Sequence, residues 1–553
     1  MDTQLIEYLK NFLSKNDIDG LIVNSTNEFL VEYNMLDLNS RYHLTGFSGS
    51  TGDVLFTGDK IYLFVDTRYH EQADNQVNHD YIEVVKIPLT KSYITALTET
   101  IPAYFKVGMI ASKTSKKFYD ILNKSIQNKN SSIKLFTTDP ISEYKKESIK
   151  PINYNVFSVS KDITGLSADE KFNIIKECAG EKFNILVTAL EDIAYLTNLR
   201  SYSFDYSSIF PAKAIIDENG VKIFTDCILP YIGENFKIYT LSEYEEKLKQ
   251  IEKSDIYIDK TQLTIQDYRL INQSNNILQS HLRLFKTVKN ESEINHLKQC
   301  FERADNALKV ISNMINSETI YSEYDYYEAL VKSMKENGAL SLSFKPIVAA
   351  GSNTSIIHYS TPSKDKMVND GDFLLVDYGG YYEGGYATDT TRTFLKGTPT
   401  QEQKVAYTAV LKAFLSAYFN KYKKKSSYFE IDKIARETIE KSITEDYAFA
   451  HGTGHGVGIS VHENPPRVSS SDAAKTKILE NTVFSIEPGV YKEGWGGIRL
   501  ENTVYATYEK EEDRITMQTF SHFPFEIKLI DLSMMNDYEK YYYMKWQANA
   551  CIQ

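Results

Sequence analysis

Over the first 290 residues, short apolar runs alternate with stretches of helical periodicity, the pattern of mixed α/β domains. Gly20-Leu21-Ile22-Val23-Asn24-Ser25 is echoed by Ile185-Leu186-Val187-Thr188-Ala189, and Tyr42-His43-Leu44-Thr45 by Ala194-Tyr195-Leu196-Thr197. Ile61-Tyr62-Leu63-Phe64-Val65-Asp66 is echoed by Val221-Lys222-Ile223-Phe224-Thr225-Asp226. The offsets are 164, 152 and 160 and the order is kept, so this region reads as two related units in tandem. The polar stretch Ser142–Pro151 marks a boundary between them, and a second boundary falls near Lys286–Asn290. There Asn290, with Glu293 three residues on, has the form of a capping box. Ile294, Leu297, Phe301, Ala304, Leu308 and Ile311 follow at helical spacing. After Gly338 the pattern turns to strands, with a further helix expected around Ile431–Ile443. From Gln518 to Gln553 the chain is aromatic and charged without clear periodicity. The expected division is 1–150, 151–288 and 289–553.

A chain of 553 residues exceeds one hydrophobic core, which agrees with that division. Its 42% hydrophobic and 25% charged residues exclude wholesale disorder. The balance of 62 basic against 74 acidic residues, −12 in all, argues against a nucleic-acid or anionic-membrane binder. No stretch approaches the length of an apolar membrane span. Met1–Glu7 carries acids where a signal peptide would be basic. The four cysteines lie far apart with no CxxC pair, which excludes a disulfide scaffold and a zinc ribbon. A cytoplasmic location is expected.

Glycine shifts the attention to the last 260 residues. Of 26 glycines, 15 fall in 351–400 and 451–500, and four of ten histidines lie between 358 and 462. Glycine concentrates where backbone turns tightly or approaches a ligand. In the run Leu374-Leu375-Val376-Asp377-Tyr378-Gly379-Gly380, continuing to Asp389-Thr390-Thr391-Arg392-Thr393, two aspartates flank a glycine-bearing centre. If they face each other across a hairpin, its midpoint is residue 383, within a turn Tyr382-Glu383-Gly384-Gly385. Glu487 and Glu501 have the same layout around Gly494. Between these patches lie His451-Gly452-Thr453-Gly454-His455-Gly456-Val457-Gly458 and His462, with His358 isolated upstream. Four carboxylates gathered near one core would be too costly unless paired or metal-bound. With one imidazole they can hold two divalent ions about 3.5–4 Å apart. Oxygen-rich ligation suits Mn2+, and Zn2+ or Co2+ less exclusively. The glycine repeat does not fit a phosphate cradle, since neither GxGxxG before a helix nor GK[ST] occurs.

These patches resemble the pita-bread metallopeptidases, a family that includes aminopeptidase P, prolidase and methionine aminopeptidase. The order Asp, Asp, His, Glu, Glu matches, as does the HGTGHGVG run. Leu44–Ser50, Asp66-Thr67-Arg68-Tyr69, Thr188–Ala194 and Asn198-Leu199-Arg200 extend the resemblance to the three-domain cytosolic aminopeptidase P type. The resemblance implies two creatinase-like amino-terminal α/β domains followed by a pita-bread catalytic domain of curved antiparallel sheet with flanking helices. It implies that Asp377 serves one metal, that Asp389 and Glu501 bridge two, and that His455 and Glu487 complete the second. Glu487 would also accept a proton, His462 would stabilise the tetrahedral intermediate, and Arg499 would orient a carboxylate. His451 and His358 would line the site for the proline after the scissile bond, with Tyr491 nearby. The activity implied is attack by a metal-bridging hydroxide, releasing the first residue of peptides with proline second, in a homodimer. The alternatives are a prolidase acting on Xaa-Pro dipeptides and a non-catalytic peptide-binding member of the same fold. A metal-free, creatinase-like hydrolase is disfavoured by the five ligands retained. One departure stands out: the two aspartates are 12 residues apart, one more than the family's usual spacing, and a bulge would absorb the extra residue.

Overall fold

The computed structural model describes residues 2–146, 152–251, 256–271, 277–279, 282–444 and 446–551. Part of the boundary stretch Ser142–Pro151 and the last two residues of the carboxy-terminal segment lie outside the described residues. The chain divides into two compact units. One is Met1–Ser158 with Leu166–Asp205 and Ile209–Leu282; the other is Val159–Gly165 with Tyr206–Ser208 and Arg283–Gln553.

The first unit holds two six-stranded sheets. In the first, Gly20–Val23 is antiparallel to Asp53–Phe56, which is antiparallel to Ile61–Asp66, with Ile82–Ile87 parallel at that edge. On its other side Gly20–Val23 is parallel to Lys106–Ile110, and that strand to Ser132–Phe136. The second sheet repeats this order and every strand sense. Asn184–Val187 takes the central place, followed outward by Lys213–Asp217, Gly220–Phe224 and Phe236–Tyr239 on one side, and by Ile256–Ile258 and Ile277–Gln279 on the other. The tandem echo therefore has a structural basis, since Gly20–Val23 and Asn184–Val187 are topological equivalents. The helices Ser40–Thr45 and Leu190–Thr197 both end on a left-handed residue, Gly46 at φ 74° and Asn198 at φ 56°, a conformation glycine and asparagine tolerate. Alternate residues of the first sheet bury on opposite faces, as a period of two requires. Leu21, Val54 and Leu63 join Leu5 and Leu9 of helix Thr3–Lys15, whereas Ile22, Leu55 and Phe64 join Leu97, Leu122 and Ile126.

In the second unit the strands are antiparallel. Ile347–Ala350, Phe373–Tyr378 and Thr390–Leu395 make one sheet. Val483–Ile486, Asn502–Glu509, Arg514–Thr519 and Tyr422–Lys423 make another. Helix Glu291–Ile315 starts at the expected capping box and buries the expected stripe, Ile294, Leu297, Phe301, Ala304, Leu308 and Ile311. The later helix is Tyr428–Glu440, three residues earlier than its apolar pattern predicts, because Ser427 and Glu430 form a capping box there. The aperiodic tail contains helix Asp537–Cys551. It is anchored by ring packing of Trp546 on Phe414 and Tyr418, so no aliphatic stripe is needed.

Candidate active site

Two hairpins place the carboxylates. In the first, Asp377 lies opposite Thr391, Tyr378 opposite Thr390 and Tyr381 opposite Ala387. Asp377 therefore does not face Asp389, as the midpoint at 383 predicts. The symmetry point is Gly384, one residue later, and Asp389 stands diagonally, two positions along from Thr391. Side chains alternate with period two, so the diagonal keeps both aspartates on one face. The register is the same at 377 and at 381, so no bulge intervenes between those pairs. The turn 382–386 takes the extra residue, using Gly384 and Gly385 at φ 91° and 68°.

In the second hairpin, Ile486 pairs with Asn502 and Gly489 with Arg499, which puts Glu487 directly opposite Glu501 about Gly494. Like charges opposite one another destabilise a sheet. Here both are largely withdrawn from water, with Glu501 1% exposed and the Glu487 side chain 17%.

His455 comes from the short strand Gly454–His455, seated against Arg467–Val468. A Cβ on Gly454 would lie 2.0 Å from the Ser485 carbonyl oxygen, and one on Gly456 2.0 Å from that of Glu463. Close backbone approach, not a ligand cradle, accounts for the glycine repeat. Glu463 fills the inside of this loop. Its Oε1 accepts from the Ile459 amide at 2.9 Å and its Oε2 meets Lys289 Nζ at 2.6 Å, with both side chains 2% exposed. His455 Nδ1 is 3.0 Å from the Gly456 carbonyl. A carbonyl only accepts, so Nδ1 carries the hydrogen and Nε2 presents its lone pair as the ligating atom. Nε2 lies 3.5 Å from Asp389 Oδ2 and 3.4 Å from Glu487 Oε1.

One ligand atom each from Asp389, His455 and Glu501 fall within 4.8 Å of one another. Each of two neighbouring carboxylates has one oxygen held and one left over. Asp377 Oδ2 accepts from Arg499 Nη2 at 2.6 Å, and Glu501 Oε2 from Thr391 Oγ1 at 2.6 Å. Asp377 Oδ1 and Glu501 Oε1 are buried with no hydrogen-bond partner. Orphaned buried oxygens are costly, and a divalent cation takes such donors. The residues therefore fit a metal centre.

Electrostatics agree with an unbalanced anionic pocket. Burial, reinforced by Glu501, Asp377 and Glu487, drives the Asp389 carboxyl well above the usual carboxylate range. Burial, with Glu487 and Asp377, does the same to Glu501. Glu487 is pushed up to about 7 by burial, with Arg499 opposing and Asp377 adding. Burial alone would weaken Arg499 as a base, but Tyr491, Asp377 and Glu487 more than offset it and keep the guanidinium charged.

A hydrogen-bond chain runs outward from this cluster. Arg499 Nη1 donates to Tyr491 Oη at 2.8 Å, Tyr491 Oη lies 2.8 Å from His451 Nε2, and His451 Nδ1 lies 2.7 Å from the Gly452 carbonyl. The His462 ring meets that of His455 edge-on at 4.5 Å. His358 is half-buried and follows Ile357, whose carbonyl accepts from Arg499 Nη1 at 3.5 Å. The structure thus gathers Asp377, Asp389, His451, His455, His462, Glu487, Tyr491, Arg499 and Glu501, with His358 joined to them through its neighbour. Sequence reasoning missed several supporting residues. Thr391 orients Glu501, and Arg392 donates to the Glu501 carbonyl at 2.6 Å. Ser485 Oγ donates to Glu487 at 3.2 Å. On helix Tyr428–Glu440, Asp432 accepts from Thr453 at 2.8 Å and Arg436 donates to the His451 carbonyl. The i,i+4 spacing of Asp432 and Arg436 was the available signal.

A pocket of buried carboxylates and one imidazole on paired hairpins is the donor set of a metal-dependent hydrolase, and the chain's relatives are of that class. Residues 295–508 match metallopeptidase family M24, and residues 6–141 and 148–293 each match the creatinase/prolidase N-terminal domain. The chain carries two creatinase-type domains followed by an M24 domain of pita-bread fold, and it is similar to aminopeptidase P chains over nearly its whole length. It is 29% identical to the probable Xaa-Pro aminopeptidase P of Coprinopsis cinerea, over 97% of this chain and 92% of that one. It is 28% identical to Xaa-Pro aminopeptidase 1 of Dictyostelium discoideum, over 97% and 91%. Among solved structures, the X-prolyl aminopeptidase of Caenorhabditis elegans, described as a cytosolic enzyme with a di-nuclear active site, aligns with a TM-score of 0.87 at 21% identity, over 96% of this chain and 91% of that one. The Xaa-Pro dipeptidase of Bacillus anthracis aligns with a TM-score of 0.54 at 25% identity, over 65% of this chain and 99% of that one. Among the described residues no helix is long and apolar enough to cross a membrane.

Proposed function

We propose that this protein is a metal-dependent aminopeptidase that releases the first residue from peptides with proline in the second position. The observation that carries the reading is the opposed pair Glu487–Glu501 beside Asp389 and His455, with carboxylate oxygens left unsatisfied in the same pocket. Asp377 would hold one ion, Asp389 and Glu501 both, and His455 and Glu487 the other. Two divalent ions, Mn2+ on this donor set, would polarise the scissile carbonyl and lower the pKa of a bound water. Glu487 would also accept a proton from the attacking water. His462, whose ring meets that of His455, would donate to the substrate oxyanion. His451, Tyr491 and His358 would contact the proline residue, and Arg499 would hold Asp377 in orientation. A cytoplasmic homodimer belongs to the same proposal.

Coverage favours this over a dipeptidase. The probable Xaa-Pro aminopeptidase P of Coprinopsis cinerea matches 97% of this chain and 92% of its own length, both creatinase-type domains included. Retention of all five candidate ligands speaks against a purely peptide-binding role. The test is mass spectrometry of a tripeptide with proline second, incubated with protein and Mn2+, beside an Xaa-Pro dipeptide. Release of the first residue from the tripeptide with little dipeptide cleavage is expected, and its loss in Asp389→Asn and Glu487→Gln. Dipeptide cleavage alone would replace the reading with a prolidase. Undiminished turnover in either variant would overturn the site assignment. No cleavage with Mn2+ bound would favour a binding role.

A further inference from the structure

We propose that Glu323 is a positioning residue, whose buried carboxylate sets the backbone that presents His358 to the substrate. This rests on the aminopeptidase reading above. Glu323 opens helix Glu323–Glu336 and is 0% exposed. Its four donors are all neutral, and all lie on one segment. Oε1 accepts from the Ala350 amide at 2.7 Å and Asn353 Nδ2 at 2.9 Å. Oε2 accepts from Tyr359 Oη at 2.7 Å and the Ser363 amide at 3.0 Å. Asn353 Nδ2 also lies 3.1 Å from Tyr359 Oη, closing a ring of hydrogen bonds. His358 sits inside this ring in sequence, between Asn353 and Tyr359.

A carboxylate withdrawn from water at such depth needs its donors, because each unmet lone pair is penalised. The helix start supplies a favourable field for the negative charge, and the segment 350–363 supplies the hydrogen bonds. The opposite side of the same segment is held by the hairpin that carries the candidate site. The Gly497 amide donates to Thr354 Oγ1 at 2.6 Å, and Arg499 Nη1 lies 3.5 Å from the Ile357 carbonyl. The segment is therefore pinned on one side by Glu323 and on the other by the residues that orient Asp377. His358 is the one imidazole on it, the group that the aminopeptidase reading gives to the substrate.

Glu323→Gln keeps the shape of the side chain but replaces one acceptor oxygen by a donor, facing the Ser363 amide and Tyr359. A lost buried hydrogen bond of this kind corresponds to about a tenfold effect. The experiment measures KM and kcat on a tripeptide with proline second for wild type, Glu323→Gln, His358→Ala and the double variant, with Mn2+ content determined for each. Tyr359→Phe, which removes one of the four bonds, serves as a milder second variant. The expected result is a KM raised about tenfold in Glu323→Gln with kcat changed less and Mn2+ content unchanged, and a double variant no worse than His358→Ala alone. Tyr359→Phe moves KM the same way by less. Hydrogen exchange of 350–363 should quicken in Glu323→Gln while 483–505 stays protected, a result that does not depend on turnover. Multiplicative effects in the double variant, an unchanged KM in Glu323→Gln, or unchanged exchange would each overturn the proposal. Failure of wild type to cleave any peptide would instead strike the aminopeptidase reading and leave the exchange result to decide on Glu323.

Discussion

Replacing Glu487 by Gln should stabilise the metal-free protein at pH 8 and destabilise the metal-loaded one. The folded-state pKa of Glu487 is about 7, against an ordinary 4.5. A carboxyl whose pKa is raised by folding binds its proton more tightly when folded. Its contribution is fully present below pH 4.5 and is lost as pH rises through 7. The loss is 7 minus 4.5, or 2.5 units, which at about 1.36 kcal/mol each comes to about 3 kcal/mol. Glutamine does not titrate and carries no charge to be repelled by Asp377. In EDTA the variant should therefore exceed wild type by about 3 kcal/mol at pH 8 and approach it at pH 5. For a domain of this size that is roughly 6–12 °C in thermal midpoint. Both tryptophans of the chain, Trp495 and Trp546, lie in the second unit, so their fluorescence reports that unit alone. With Mn2+ the order should invert, because a ligand has been lost. A Gln variant no more stable than wild type in EDTA at pH 8, or one with the same gap at pH 5, would refute the reasoning.

Two further outcomes follow from the loop that carries His455. Lys289→Met strands the Glu463 charge at 2% exposure and should cost about 3–5 kcal/mol in urea unfolding; removing that charge as well with Glu463→Gln should restore most of it, and a loss below about 1 kcal/mol would show the pair to be dispensable. Gly454→Ala drives a Cβ to 2.0 Å from the Ser485 carbonyl, so the strand must shift; calorimetric Mn2+ affinity should fall at least tenfold, the scale of a displaced ligand environment, and unchanged affinity would contradict the close-packing account.

Much of this was legible in the residues, and the failures are instructive. The capping box at Asn290 and Glu293 announced helix Glu291–Ile315 because both cap and stripe are local signals. Glycine spacing located both hairpin turns, but it located only one register. Glu487 and Glu501 are symmetric about Gly494 and do face each other, whereas Asp377 faces Thr391, since a turn with two glycines admits more than one symmetry point. The helix Asp537–Cys551 left no readable period because its anchor is Trp546, edge-on to Phe414 and stacked on Phe525, and not a row of aliphatic side chains. Glu463, Lys289 and Glu323 carry no motif at all. Their meaning lies in distant partners, Lys289 and Glu463 174 residues apart and Glu323 and Ala350 27 apart, which only the folded chain brings together.

The single register that runs from Val483 opposite Tyr505 to Lys492 opposite Gly496 makes the far end of that ribbon a natural splice point. Gly494 is solvent-facing, and a Cβ there would meet nothing within 4 Å. The carboxylates of Glu487 and Glu501 are positioned by strand pairing and not by the tip, so a short flexible insert between Glu493 and Gly494 should leave them face to face. At about 3.3 Å per residue the insert would sit roughly 20 Å from Glu487. A fluorophore carried there would ride on the same ribbon as the candidate ligands, turning the protein into a sensor of its own site occupancy.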